Sequence, residues 1–149
     1  MMKLSTWQQA HRLAAALAQL PKGSLILLTG PLGAGKTTLV QLVAKELGFA
    51  GRVNSPTYTL IHEYPTPQGL LIHADAYRLP SGLALEQWGL WDYLPEARLI
   101  FVEWGDPQSF PESLEIHLDP PPRRRATFWP HGSLGHELLK QLEAQLAHL

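Results

Sequence analysis

The stretch GPLGAGKTT, Gly30 to Thr38, constrains this chain more than any other. Its G-x-x-x-x-G-K-T spacing places Gly30, Gly35, Lys36 and Thr37 in a loop whose backbone N–H groups turn inward toward phosphate oxygens. Such a loop needs a buried strand before it and a helix after it, because the helix N-terminus adds its positive end to the field. The flanks supply both. SLILLTG is a short apolar run without alternation, as expected of a strand covered on both faces. Lys36 to Leu47 reads as a helix closed by Gly48. Lys36 is expected to reach the β- and γ-phosphates, and the Thr37 hydroxyl to sit on Mg²⁺.

The rest of the chain reads as elements that pack around this unit. Ser5 is a candidate N-cap with Gln8 completing a capping box. Trp7, Ala10, Leu13, Ala14, Leu17 and Leu20 then recur at helical spacing until Pro21-Lys22-Gly23. Tyr58 to Asp75 reads as a hairpin turning at PTPQG, and Ser81 to Trp88 as a short helix. ARLIFVEW is another buried strand. LEIHL and ATFW flank DPPPRRR and suggest a second hairpin. Ser133 to Leu149 forms a last helix with Leu138, Leu139, Leu142 and Leu146 on its apolar side. Buried strands and hairpins mixed with helices imply one α/β domain over residues 1–149 with a mixed sheet.

Composition removes several alternatives. Hydrophobic residues make up 45% of the chain, enough for a core and against disorder. There is no cysteine, hence no disulfide framework and no thiolate metal site. The formal net charge of −1 does not suit a nucleic-acid clamp, so any RNA would be held mainly by a partner. No apolar run approaches the ~20 residues that span a bilayer. Gln8, Gln9, His11 and Arg12 interrupt the N-terminal apolar positions, which argues for a cytoplasmic amphipathic helix rather than a signal peptide.

Two carboxylates stand where buried strands emerge, Asp75 after LLIHA and Glu103 after LIFV. One is expected to hold Mg²⁺ or its water and the other to orient an attacking water. His73 lies two residues before Asp75 and so shares its face, in a hydrogen-bonding role rather than a metal site. In NSPTYT, Pro56 biases Ser55 toward extended backbone, and Thr57 either faces the γ-phosphate or only leads into a strand. Trp104 either stacks on a base or packs in the core. Arg123 to Arg125 read as a solvated hairpin tip, with an RNA or partner contact as the alternative.

Taken in order, the loop, SPTYTL, HADAYRL and FVEWGD resemble the TsaE (YjeE) family, over roughly residues 24 to 106. Pro31 differs from the acidic residue common in that family, at a variable loop position. The resemblance implies a P-loop NTPase-like, three-layer α/β domain with a mixed, mostly parallel central sheet and β-hairpin insertions. It implies ATP and Mg²⁺ as ligands, with Gly33, Ala34, Gly35, Lys36, Thr37 and Thr38 around the phosphates. Thr37 and Glu103 would hold the metal. Thr57 would belong to a nucleotide-sensing loop, Asp75 would be required for hydrolysis, and Trp104 and Thr6 would lie near the nucleotide. It further implies an ATPase that works with TsaB and TsaD in threonylcarbamoyladenosine modification of tRNA, without being the transferase. Two other readings of the loop remain at this stage, a small-molecule kinase and a nucleotide-gated binding module. The kinase would need an arginine-rich lid, for which only Arg78 and the 123–125 run are available. The paired carboxylates speak against the binding module.

Overall fold

The computed structural model describes residues 2–31, 33–51, 61–75 and 96–148. Among them are seven strands and three helices in the order β1 (Met2–Lys3), α1 (Trp7–Ala18), β2 (Ser24–Thr29), α2 (Lys36–Glu46), β3 (Ile61–Thr66), β4 (Gly69–Asp75), β5 (Ala97–Glu103), β6 (Ser113–Leu118), β7 (Arg125–His131) and α3 (Gly132–His148). The expected helix over Ser81 to Trp88 and the residues Thr57 and Arg78 lie outside the described residues.

The strands form one sheet in the order β1-β7-β6-β2-β5-β4-β3. Its centre, β6-β2-β5-β4, is parallel. Its margins are antiparallel, where the two expected hairpins β3–β4 and β6–β7 fold back and β1 adds to β7. The mixed sheet therefore has a parallel middle and hairpin edges. Pro65 falls in β3, the edge strand, where its missing N–H breaks no ladder.

Alternation along the central strands divides the core in two. Ile26 and Leu28 of β2, Leu99 and Phe101 of β5 and Ile116 of β6 face α1, α2 and α3. Leu25, Leu27, Ile100 and Val102 face the other way, with Ile72, Ala74 and Phe110. Because both faces are covered, β2 and β5 read as continuous apolar runs. No helix of the described residues is long and apolar enough to cross a membrane.

Helix α1 begins one residue later than the sequence suggests. Thr6, not Ser5, is the N-cap: its side-chain oxygen accepts from Gln9 N–H at 3.2 Å, and Gln9 Oε1 accepts from Thr6 N–H at 3.1 Å. The two frames are equivalent in sequence, since both Ser5–Gln8 and Thr6–Gln9 satisfy the capping pattern. Trp7 is corrected from core to surface. It sits in the first turn, 64% exposed, beside the His11 ring, while Leu13, Ala14 and Leu17 are fully buried.

The other end of α1 is closed by a side chain remote in sequence. Arg98 of β5 donates to the carbonyls of Leu20 at 2.7 Å and Ala18 at 2.6 Å. A guanidinium is well suited to carbonyls that a helix end leaves unpaired. Burial pushes its pKa below the usual arginine range. Arg98→Ala is expected to destabilise the fold by about 1–3 kcal/mol, the scale of hydrogen bonds to a charged group. Urea unfolding midpoints measure this, and nucleotide affinity should stay unchanged at temperatures where the variant is folded.

Candidate functional site

The parallel strands β2, β4 and β5 all end at the same edge of the sheet, and the candidate site lies there. Strand β2 runs directly into Gly30. Its backbone takes φ +128°, and a Cβ at this position would meet the Leu118 carbonyl oxygen at 2.3 Å. Only glycine fits, for both conformational and steric reasons. Gly33 and Gly35 also have positive φ, yet a Cβ at either would meet nothing within 4 Å. They serve the turn of the backbone rather than a close contact. Gly35 is the N-cap of α2 and supplies no side-chain acceptor. The first N–H groups of α2 are thus turned toward the loop without a capping side chain, the arrangement that binds anions.

Lys36 opens α2 and is buried, with 6% exposure. Its Nζ donates to the carbonyls of Gly30 at 2.6 Å and Pro31 at 3.2 Å. The same Nζ lies 4.4 Å from the centre of the Trp104 ring. Burial lowers the lysine pKa, and the charges of Glu103 and Asp75 oppose that shift. Both strand-end carboxylates therefore act electrostatically on the loop lysine. They are also register partners across β4 and β5.

Glu103 is nearly buried, and its Oε2 accepts from the Thr37 hydroxyl at 3.4 Å and from His73 at 2.5 Å. His73 is fully buried. The Thr37 hydroxyl and the Glu103 carboxylate thus form a pair of hard oxygen donors beside the phosphate loop. Among the described residues no group of three or more His, Cys, Asp or Glu is placed to hold a metal. The donor set fits Mg²⁺, which is held by one or two protein oxygens and completes its shell with phosphates and water. A thiophilic or imidazole-bound metal does not fit it.

Trp104 follows Glu103 with φ 63°, a left-handed conformation unusual for a bulky residue. Its N–H donates to the Leu28 carbonyl at 3.1 Å, which pins the turn against β2. The ring, 41% exposed, covers the lysine. Sequence reasoning left base stacking and core packing open for Trp104; the ring is too exposed for a core residue, and it flanks the Lys36 cation.

A cavity of about 380 Å³ continues from the loop. Gly33, Ala34, Gly35 and Thr38 line it on one side, and Thr6, Trp7 and Ala10 on another. Leu118, Asp119, Pro121 and Arg124 also line it. This brings Thr6 beside the phosphate loop, although they are far apart in sequence. The expected hairpin tip is present, with Arg123 and Arg124 exposed at the turn from β6 to β7, but sequence reasoning missed that the segment from Leu118 to Arg124 also walls this cavity. Within the run, Arg123 and Arg124 are exposed, Arg124 also lines the cavity, and Arg125 lies 3.4 Å from Asp119. The available signal was the pairing of β6 with β2, which carries the end of β6 to the loop.

The expected site residues Gly33, Ala34, Gly35, Lys36, Thr37, Thr38, Asp75, Glu103, Trp104 and Thr6 thus converge on one edge of the sheet. Thr57 lies outside the described residues.

Comparison with known proteins agrees with this geometry. The family described as Threonylcarbamoyl adenosine biosynthesis protein TsaE matches residues 4–126. The tRNA threonylcarbamoyladenosine biosynthesis protein TsaE of Aquifex aeolicus is 50% identical over 81 residues, 52% of this chain and 61% of that one. The protein of the same name from Haemophilus influenzae is 40% identical over 85 residues, 57% of this chain and 54% of that one. The chain thus spans little more than half the length of these two curated relatives. The crystal structure of Bacillus subtilis YdiB superimposes with a TM-score of 0.71 at 28% identity, covering 92% of this chain and 88% of that one.

Proposed function

This chain belongs to the TsaE family, and from that premise we propose that it is the ATP-binding and ATP-hydrolysing component of tRNA threonylcarbamoyladenosine modification. Residues 1–149 act as a single P-loop ATPase domain in the cytoplasm. The partners are TsaB and TsaD, tRNA is reached only through them, and this chain does not itself transfer the threonylcarbamoyl group.

The observation that carries the reading is the meeting of Lys36, Thr37 and Glu103 at one strand edge, with Asp75 in register beside Glu103. ATP would lay its phosphates along Gly33 to Thr38, with Lys36 neutralising the β- and γ-oxygens. The cavity walled by Thr6, Leu118, Asp119 and Arg124 would take the nucleoside end. Thr37 and Glu103 would hold Mg²⁺, which supplies charge neutralisation at the phosphates when bound. Asp75 would then orient the attacking water, and Thr57 would read the γ-phosphate. Trp104, by covering the lysine, keeps water from one side of its charge.

The test is reconstitution. Purified TsaB, TsaD and a source of the threonylcarbamoyl group are incubated with tRNA, with and without this chain and ATP, and the modified nucleoside is counted over several turnovers. Sustained modification should require both the chain and ATP. Equal yield without the chain would reject the reading. Appearance of a phosphorylated small molecule in place of free phosphate would favour a kinase.

A further inference from the structure

The loop and the two carboxylates leave His73 unused, yet it is the closest partner Glu103 has. Its side chain is fully buried on β4, on the helix-facing side of the sheet with Asp75. Nε2 lies 2.5 Å from Glu103 Oε2. Nδ1 is buried and has no hydrogen-bond partner. An unpartnered buried nitrogen lowers stability, so packing alone gives no reason for histidine here. For this contact to be a hydrogen bond Nε2 must carry a proton and donate it to Glu103, because a carboxylate oxygen only accepts.

Both hydrogen bonds of Glu103 arrive at the same oxygen. The Thr37 hydroxyl reaches Oε2 at 3.4 Å, a long contact, and His73 reaches it at 2.5 Å. Oε1 receives no hydrogen bond from the described residues. The carboxylate is therefore held by one oxygen, chiefly from the strand beside it, and its other oxygen is left to coordinate. We propose that His73 is a positioning residue for the metal-binding carboxylate, holding Glu103 in the orientation that Mg²⁺-nucleotide binding requires. The proposal rests on the reading of Glu103 as a Mg²⁺ ligand. It follows the general pattern in which a group behind a ligand orients it and tunes metal affinity by about 10- to 100-fold.

The experiment reads binding rather than turnover. A non-hydrolysable ATP analogue is titrated by calorimetry into the full chain over a series of MgCl₂ concentrations and in EDTA. The variants are His73→Leu, His73→Asn, His73→Gln and Glu103→Gln. The Gln side chain carries an amide N–H to about the reach of Nε2, whereas Asn stops short and Leu has no donor. His73→Leu and His73→Asn should raise the half-effective Mg²⁺ concentration by roughly 10-fold. Affinity in EDTA should stay within error of the parent chain, and His73→Gln should recover most of the Mg²⁺ response. If His73→Leu does not fold, the contrast between Gln and Asn decides alone. A parent-like Mg²⁺ midpoint in His73→Asn, beside a shifted midpoint in Glu103→Gln, would overturn the positioning role and leave the metal assignment standing. Equal weakening in EDTA and in Mg²⁺ would make His73 a structural residue and overturn it too. No Mg²⁺ response in the parent chain, or none lost in Glu103→Gln, would overturn the metal reading itself and the proposal with it.

Discussion

Lys36→Ala should lose ATP affinity by about 100-fold or more while the fold remains intact. The side chain donates two hydrogen bonds to loop carbonyls and carries the loop's own cation. Facing a triphosphate, those donors become charge-assisted bonds, each worth about 1.5–3 kcal/mol, and two such bonds account for the expected loss. Stability should change little, because opposing terms are removed together. The variant loses two hydrogen bonds and a cation–π contact, and it also loses a charge whose pKa is already lowered by burial. Glu103 and Asp75 would then face each other across β5 and β4 without their nearby cation. Lys36→Arg should not rescue binding, since the planar guanidinium cannot follow the ammonium into a pocket bounded by Gly30, Pro31 and the Trp104 ring. Calorimetric titration beside a melting curve measures both halves. Parent-like affinity in Lys36→Ala would remove the phosphate-loop assignment.

The legible parts of this molecule are those where one local rule suffices. The buried strands β2 and β5 are visible as unbroken apolar runs, because both faces of the sheet are covered there. The phosphate loop is visible because its glycines and lysine have a fixed spacing. The strand-end positions of Asp75 and Glu103 follow from those runs, and their pairing in register follows from parallel strands ending together. The cap of α1 was legible only to within one residue, since Ser5 and Thr6 offer the same chemistry in adjacent frames. What was not legible depends on long-range contact. Nothing local in the sequence announces that Arg98 closes α1, that Leu118 to Arg124 form a wall of the loop cavity, or that the Trp104 ring lies over Lys36. The His73–Glu103 bond is intermediate. The two residues lie 30 positions apart, and only the β4–β5 register brings them within reach.

Hydrolysis by the isolated chain should be slow, and the TsaB–TsaD pair should accelerate it by about 10³–10⁵-fold. In the proposed reading, the described residues supply groups for binding the phosphates and the metal. The cation in contact with the loop is Lys36, and among the described residues no arginine is seen bonded to Lys36, Thr37 or Glu103. Arg124 lines the cavity on the Thr6 side, and Arg98 is committed to the end of α1. P-loop enzymes without such a group stabilise the transferring phosphoryl poorly, and gain most when a partner inserts the missing charge or orders the segment that reads the γ-phosphate. Two variants locate the effect. Asp75→Asn should bind the ATP analogue nearly as tightly as the parent, because its proposed task begins with the water, and should lose turnover in the presence of the pair. Loss of kcat without a rise in KM is the signature of a contact made only in the transition state. Thr57→Ala should reduce stimulation by the pair more than basal turnover, since Thr57 is the proposed reader of the γ-phosphate. The measurement is steady-state phosphate release across a titration of the pair, for the parent chain and both variants. A fast isolated enzyme indifferent to the pair would mean that the transition-state group is already in this chain, and the partner would then have some task other than completing the site.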